Sequence, residues 1–269
     1  MEILVRKKDG RRWEKVSEKR FANEAALQEL LYQSPEIIPI EQLGENLLEP
    51  KLFIKEAGLP GSGNTDLIGI DEQGGLTIIE CKLAANPEIR RKVIGQVLEY
   101  AAYLWQMDYE RFDNICRKAE GWVDTSLSDV MQDKMGGTVE GWSKDDFRDN
   151  LISTLAKGDF RLIIAVDALN DELRRIIQFL NSRGQGSPQI YALEMKQFET
   201  SELQMLVPEL FGHKTPPPPP PDGQWNYEKF IADTRKKCEL KIVDTITKLY
   251  EFSKDSADEI SWGRGTTYG

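Results

Sequence analysis

Between Leu52 and Lys82 the sequence runs through three short apolar stretches separated by two turn-rich breaks, and the last stretch closes on charge. The stretches are Leu52–Ala57, Asp66–Ile70 and Leu76–Cys81. Runs this short, rich in β-branched residues, read as strands, and the Thr-Ile-Ile of the third suits a strand covered on both faces. Gly58–Asn64 reads as a Gly/Pro-rich loop and Asp71–Gly75 as a turn. A strand meander of this kind constrains the chain more than any other feature. In a strand, residues i and i+2 share a face. Glu80 and Lys82 therefore project together while Cys81 points away. If the last two strands pair through the Asp71–Gly75 turn, Asp66 comes beside Glu80, and two carboxylates and an ammonium share one patch at a sheet end.

The flanking sequence supplies cover. Asn23 can cap a helix over Glu24–Gln33, whose apolar positions Ala26, Leu27, Leu30 and Leu31 recur at helical spacing. Ser34-Pro35 ends it. A longer helix is expected over Pro87–Gln106, with Val93, Val97, Tyr100, Ala101 and Leu104 in one apolar stripe. Asp108–Gly158 reads as helical with loops at Gly136-Gly137. Phe160–Val166 is a clear strand, Asp171–Asn181 a helix, and Gln189–Phe198 a further strand. Near the start, Met1–Val5 and Trp13–Val16 read as a hairpin around Asp9-Gly10. The six prolines Pro216–Pro221 favour an extended spacer. Beyond them one helix is expected over Tyr227–Phe252. The expected architecture is α/β, a mixed central sheet flanked by helices over residues 1–214. A proline-rich linker (215–222) and a small, mainly helical module (223–269) complete it.

Composition narrows the function. A net charge of −10 over 269 residues argues against a protein that coats nucleic acid through global charge, though not against a local basic groove. Cys81, Cys116 and Cys238 form no CxxC pair, and the single histidine, His213, excludes a multi-histidine metal centre. No signal-peptide pattern or 18-residue apolar run is present, so no membrane association and a cytoplasmic setting are expected.

Phosphodiester hydrolysis needs an activated water, in-line attack and neutralised phosphate charge. A hard cation on one or two carboxylates, with an adjacent lysine, supplies all three. Here the motifs become specific. Gly63-Asn64-Thr65-Asp66-Leu67-Ile68-Gly69-Ile70-Asp71, then Gly75-Leu76-Thr77-Ile78-Ile79-Glu80-Cys81-Lys82, resembles the core of the PD-(D/E)XK nuclease superfamily. Gln96…Tyr100, spaced Q-x-x-x-Y on the following helix, resembles an extra motif of several of its branches. The resemblance spans about Glu24 to Val166. Thr65 stands where the family's motif name has proline.

The resemblance implies a restriction-endonuclease-like fold and an Mg²⁺- or Mn²⁺-dependent deoxyribonuclease acting on DNA. Asp66 and Glu80 would be metal ligands, with Glu24 a further acidic ligand. Lys82 would position the water, Gln96 would support the site, and Tyr100 would pack beside it. Arg90, Arg91 and Lys92 could meet phosphate. The blander alternative for the central three is a surface ion pair across a hairpin, worth little. Two other functions fit the residues: a nucleic-acid-binding module with a degenerate site, and an interaction protein. The apolar face of the C-terminal helix could pair with a second copy of the chain.

Overall fold

A computed structural model describes residues 3–6, 8–9, 11–43, 47–86, 92–135, 139, 141–182, 189–200, 202–212, 225–238, 240–256, 260 and 262. The chain divides into two compact units, Met1–His213 and Lys214–Gly269.

The first unit is built on a mixed sheet. Strands β4 (Pro50–Lys55), β7 (Leu67–Asp71) and β8 (Leu76–Lys82) pair antiparallel in the order β4-β7-β8. Helices α2 (Lys92–Leu104), α3 (Tyr109–Glu120), α4 (Leu127–Met135) and α5 (Lys144–Lys157) lead to β9 (Phe160–Val166), which lies parallel to β8. Helix α6 (Asp171–Asn181) leads to β10 (Ile190–Glu199), parallel to β9, and β11 (Gln204–Phe211) closes that edge antiparallel to β10. Near the start of the chain lie β1 (Leu4–Val5), β2 (Glu14–Lys15), β3 (Ser17–Lys19) and α1 (Glu24–Gln33). Strands β1 and β2 form a small hairpin, and β3 joins the main sheet on β10.

Both faces of the sheet are covered, as the unbroken apolar strands require. On one face Ile68, Ile70, Ile78, Leu162 and Ile164 pack with Val93, Val97 and Leu104 of α2 and with α3–α6. On the other, Leu67, Ile79, Cys81, Ile163 and Leu193 pack with Leu27 and Leu31 of α1. Leu27 and Leu31 are fully buried, each worth about 1.5–3 kcal/mol relative to exposure. They hold α1, and whatever its first turn carries, against the sheet. The Asn23 side chain accepts from the Ala26 N–H at 2.9 Å and sets where α1 begins.

The structure differs from the sequence expectations in three places. Gly58–Asn64 is not a plain loop: β5 (Gly58–Leu59) and β6 (Gly63–Asn64) pair as a minimal hairpin. Strand β11, unread in the sequence, contains Pro208. An edge strand tolerates a proline because only one side of it must donate hydrogen bonds. The long helix is described from Lys92, so Pro87–Arg91 lie outside the described residues, as do His213 and the proline tract. The second unit holds two helices rather than one, α7 (Tyr227–Lys237) and α8 (Leu240–Ser256), because Cys238 is extended (φ −126°, ψ 155°). Within that unit Tyr227 stacks on Tyr250 at 4.4 Å between ring centroids, and Trp262 lies 5.6 Å from Phe230 and 5.8 Å from Tyr250. Among the described residues no helix is long and apolar enough to cross a membrane.

Candidate active site

The turn between β7 and β8 decides which side chains meet. Asp71 accepts the N–H groups of Gln73 (2.9 Å) and Gly75 (2.8 Å) and pairs with the Arg161 guanidinium at 2.7 Å. Gly74 adopts φ +78°, a left-handed backbone that suits glycine. The register that follows sets Leu67 against Ile79, so one step further Asp66 stands opposite Glu80. The Cys81 N–H donates to Asp66 Oδ2 at 2.6 Å and fixes that carboxylate beside β8. Cys81 itself packs in the α1-side core, while Glu80 shares the α2 side with Ile78.

Glu80 is 2% exposed. Its Oε1 pairs with Lys82 Nζ at 3.0 Å, and its Oε2 is buried without a hydrogen-bond partner. The ammonium lies between Glu80 and Glu24, whose Oε2 is 3.4 Å away. Glu24 Oε1 accepts from Asn86 Nδ2 at 2.8 Å and from the Leu83 N–H at 3.3 Å.

The electrostatics follow from burial. Desolvation and then the neighbouring Asp66 push the Glu80 carboxyl up to about 7, against the pull of Lys82. Desolvation also raises Asp66, opposed by the Cys81 amide and by Lys82. Burial pulls the Lys82 ammonium down, but the carboxylates of Glu80, Glu24 and Asp66 outweigh it and hold the pKa above its ordinary value. With all groups ionised, three carboxylates face one ammonium.

Helix α2 borders this cluster. Burial pushes Tyr100 up to about 12, and the charges of Glu80 and Asp66 add to it. The Tyr100 hydroxyl donates to the Asn64 carbonyl at 2.9 Å, just upstream of Asp66. Gln96 stands beside Tyr100, and its Oε1 is buried with no partner. Lys92 opens α2 on an exposed position. Arg90 and Arg91 lie outside the described residues.

Sequence reasoning missed Gln28. Its Nε2 donates to the Asp66 carbonyl at 2.9 Å, and the same carbonyl accepts from the Glu56 N–H at 3.1 Å. Glu56 reaches that position with a left-handed backbone, φ +53°. Gln28 is 5% exposed, one helical turn beyond Glu24, so α1 touches the site at two successive turns. The available signal was a glutamine beside Leu27 on the apolar face of an amphipathic helix. Asp167 was also missed; its Oδ1 accepts from the Ala84 N–H at 2.6 Å and steadies the chain after Lys82.

The structure thus brings Asp66, Glu80, Lys82, Glu24, Gln96 and Tyr100 to one sheet end. Two buried acceptors without donors and an excess of carboxylate fit a hard cation with water ligands. Among the described residues no group of three or more His, Cys, Asp or Glu side chains is disposed to hold a metal ion. The third carboxylate, Glu24, is engaged by Lys82, Asn86 and the Leu83 amide, so the pair Asp66 and Glu80 is what the site offers a cation. Trp142 and Trp122 are packing residues: Trp142 Nε1 donates to the Glu72 carbonyl at 2.8 Å and both rings lie against the core. Comparison with known proteins returns no matching family model, curated protein or solved structure.

Proposed function

We propose that this chain is a metal-dependent nuclease hydrolysing phosphodiester bonds in DNA, a member of the PD-(D/E)XK superfamily with a restriction-endonuclease-like fold. Asp66 and Glu80 hold Mg²⁺ or Mn²⁺, and Lys82 positions the attacking water. One observation carries the reading: the buried Glu80 carboxyl sets its Oε2, which no protein N–H or O–H reaches, beside a second carboxyl, Asp66, and a lysine. An unpaired buried carboxylate oxygen is costly, and it is kept where a cation or a reacting group will satisfy it. The cation, when bound, would lower the pKa of a water ligand and polarise the phosphoryl oxygen.

The chain's own residues do the rest. Lys82 keeps its proton, so it donates hydrogen bonds to water or to a phosphate oxygen and offsets the charge that develops there. Glu24 fixes the ammonium from the opposite side. The Cys81 amide and Gln28 hold Asp66 at its side chain and its carbonyl. Tyr100 ties down the segment that leads into Asp66, and Gln96 offers an acceptor on the same side.

The test is cleavage of labelled single-stranded, duplex and branched DNA with Mn²⁺. Asp66→Ala, Glu80→Ala and Lys82→Ala should each lose all metal-dependent cleavage while keeping the wild-type circular dichroism spectrum. Wild-type turnover in any of the three, or no cleavage of any substrate by the wild type, refutes the proposal.

A further inference from the structure

An acidic chain that handles DNA needs a local positive surface, and the sequence concentrates one at its start. Residues 1–20 carry eight Lys/Arg against four Asp/Glu, a balance of +4 in a chain of −10. Among the described residues of this segment Leu4–Val5 and Glu14–Lys15 pair as the β1–β2 hairpin, and Arg6, Lys8, Arg11, Arg12 and Lys15 are all exposed. Trp13 stands among them, 60% exposed, with the Arg6 guanidinium 4.8 Å above its ring centroid. Its ring is a flat apolar face open to solvent among basic side chains, the arrangement a stacked base can use. The cation–π contact orients the ring and leaves much of it open.

The strand that follows the hairpin joins the main sheet toward the end that carries the candidate site. The hairpin's second strand runs on through buried Val16, whose N–H donates to the Ile3 carbonyl at 3.0 Å, into β3. Strand β3 pairs with β10 at Gln197–Glu199, beyond the point where β9 ends against Glu194. Lys82, Val166 and Glu194 form one row across the sheet at that same end. From Lys19 the chain reaches Glu24, a neighbour of Lys82, in five residue steps, at most about 18 Å.

We infer that the β1–β2 hairpin is a DNA-binding element that grips a single-stranded segment, its arginines on phosphates and Trp13 stacked on an unpaired base. The choice of ligand rests on the nuclease reading. Basic grooves with aromatic platforms are how proteins hold single strands without reading sequence, each stacked base being sequence-tolerant. Arginine's planar, weakly hydrated head suits phosphate.

The experiment is fluorescence anisotropy of a labelled 20-mer of thymidylate and of a duplex, with the full chain in EDTA and a salt series. Wild type should bind the single strand with log K falling linearly in log salt. Arg11→Ala with Arg12→Ala should weaken binding by about tenfold and reduce the salt slope by about 1.4, two phosphates' worth for a single strand. Trp13→Ala should weaken the single strand by about fivefold or more and spare the duplex. These positions are exposed, so unchanged thermal melts should accompany the losses. Variants that bind as wild type overturn the inference. So does an equal Trp13→Ala effect on duplex, or a wild type that binds phosphatidylserine vesicles but no DNA. Because no cation is present, binding through the hairpin without any cleavage in Mn²⁺ would refute the hydrolytic reading alone. Normal cleavage with unaffected hairpin variants would refute the hairpin alone.

Discussion

Glu80 holds its proton more tightly folded than unfolded, at about 7 against an ordinary 4.5, because burial and Asp66 both disfavour its anion. A raised folded pKa contributes stability that is complete below about 4.5 and is lost as pH rises through about 7. The metal-free protein should therefore lose stability across that window, with a slope approaching about 1.4 kcal/mol per pH unit. Glu80→Gln removes the titration, so its urea midpoint should be flatter from pH 4.5 to 7 and higher at pH 8. A slope identical to wild type would sink this account of Glu80. Gln28 touches the site through the Asp66 carbonyl. Residues that orient a metal ligand typically matter about 10- to 100-fold for affinity or activity. Gln28→Leu is accordingly expected to weaken Mn²⁺ binding, read by calorimetry, in that range while shifting the melt by only a few degrees. Unaltered Mn²⁺ affinity beside a lowered melting temperature would make Gln28 a packing residue and nothing more.

The β7–β8 turn is the element on which the site depends, since it sets Asp66 across from Glu80. Its tightness comes from Asp71, which caps two amides and pairs with Arg161, and from Gly74, where a Cβ would come within 2.7 Å of the Leu151 backbone. Gly74→Ala meets both an unfavourable φ and rigid backbone, so it should cost on the order of 1–3 kcal/mol. Because a one-residue slip moves every side chain to the other face, cleavage should fall with it. Denaturant melts check this, and an unchanged midpoint would show that the turn and α5 can separate freely. Helix α1 is the second such element. Its buried leucines hold Glu24 and Gln28 at the sheet end, so the helix acts as a clamp on Lys82 and on Asp66.

Every proposed catalytic residue belongs to the unit Met1–His213, and the unit Lys214–Gly269 has its own aromatic cluster of Tyr227, Phe230, Tyr250 and Trp262. The first unit carries two extensive cores, one on each sheet face, which is ample for independent folding at its length. A chain ending at Lys214 should melt cooperatively and retain metal-dependent cleavage. If it folds by circular dichroism but neither binds Mn²⁺ nor cleaves, the second unit contributes to the site itself.

Much of this molecule was written locally. The cap at Asn23, the proline after Ser34 and the leucine spacing delimit α1 to the residue, because capping and periodicity are short-range. The apolar run of β8 declared a strand covered on both faces and that of β9 a strand, and the i, i+2 rule put Glu80 and Lys82 on one side. Strand β11 escaped notice since Pro208 speaks against a strand until its place at the sheet edge is known. The break at Cys238 escaped because no glycine or proline stands there to announce it. Periodicity tells which residues share a face of one element, but which elements meet depends on how the whole sheet is covered. Only the tertiary structure could leave Glu80 Oε2 buried without a partner and set Lys82 between Glu80 and Glu24. It alone reached Asp66 with Gln28 from 38 residues away and joined the strand that follows the basic hairpin to β10 through β3.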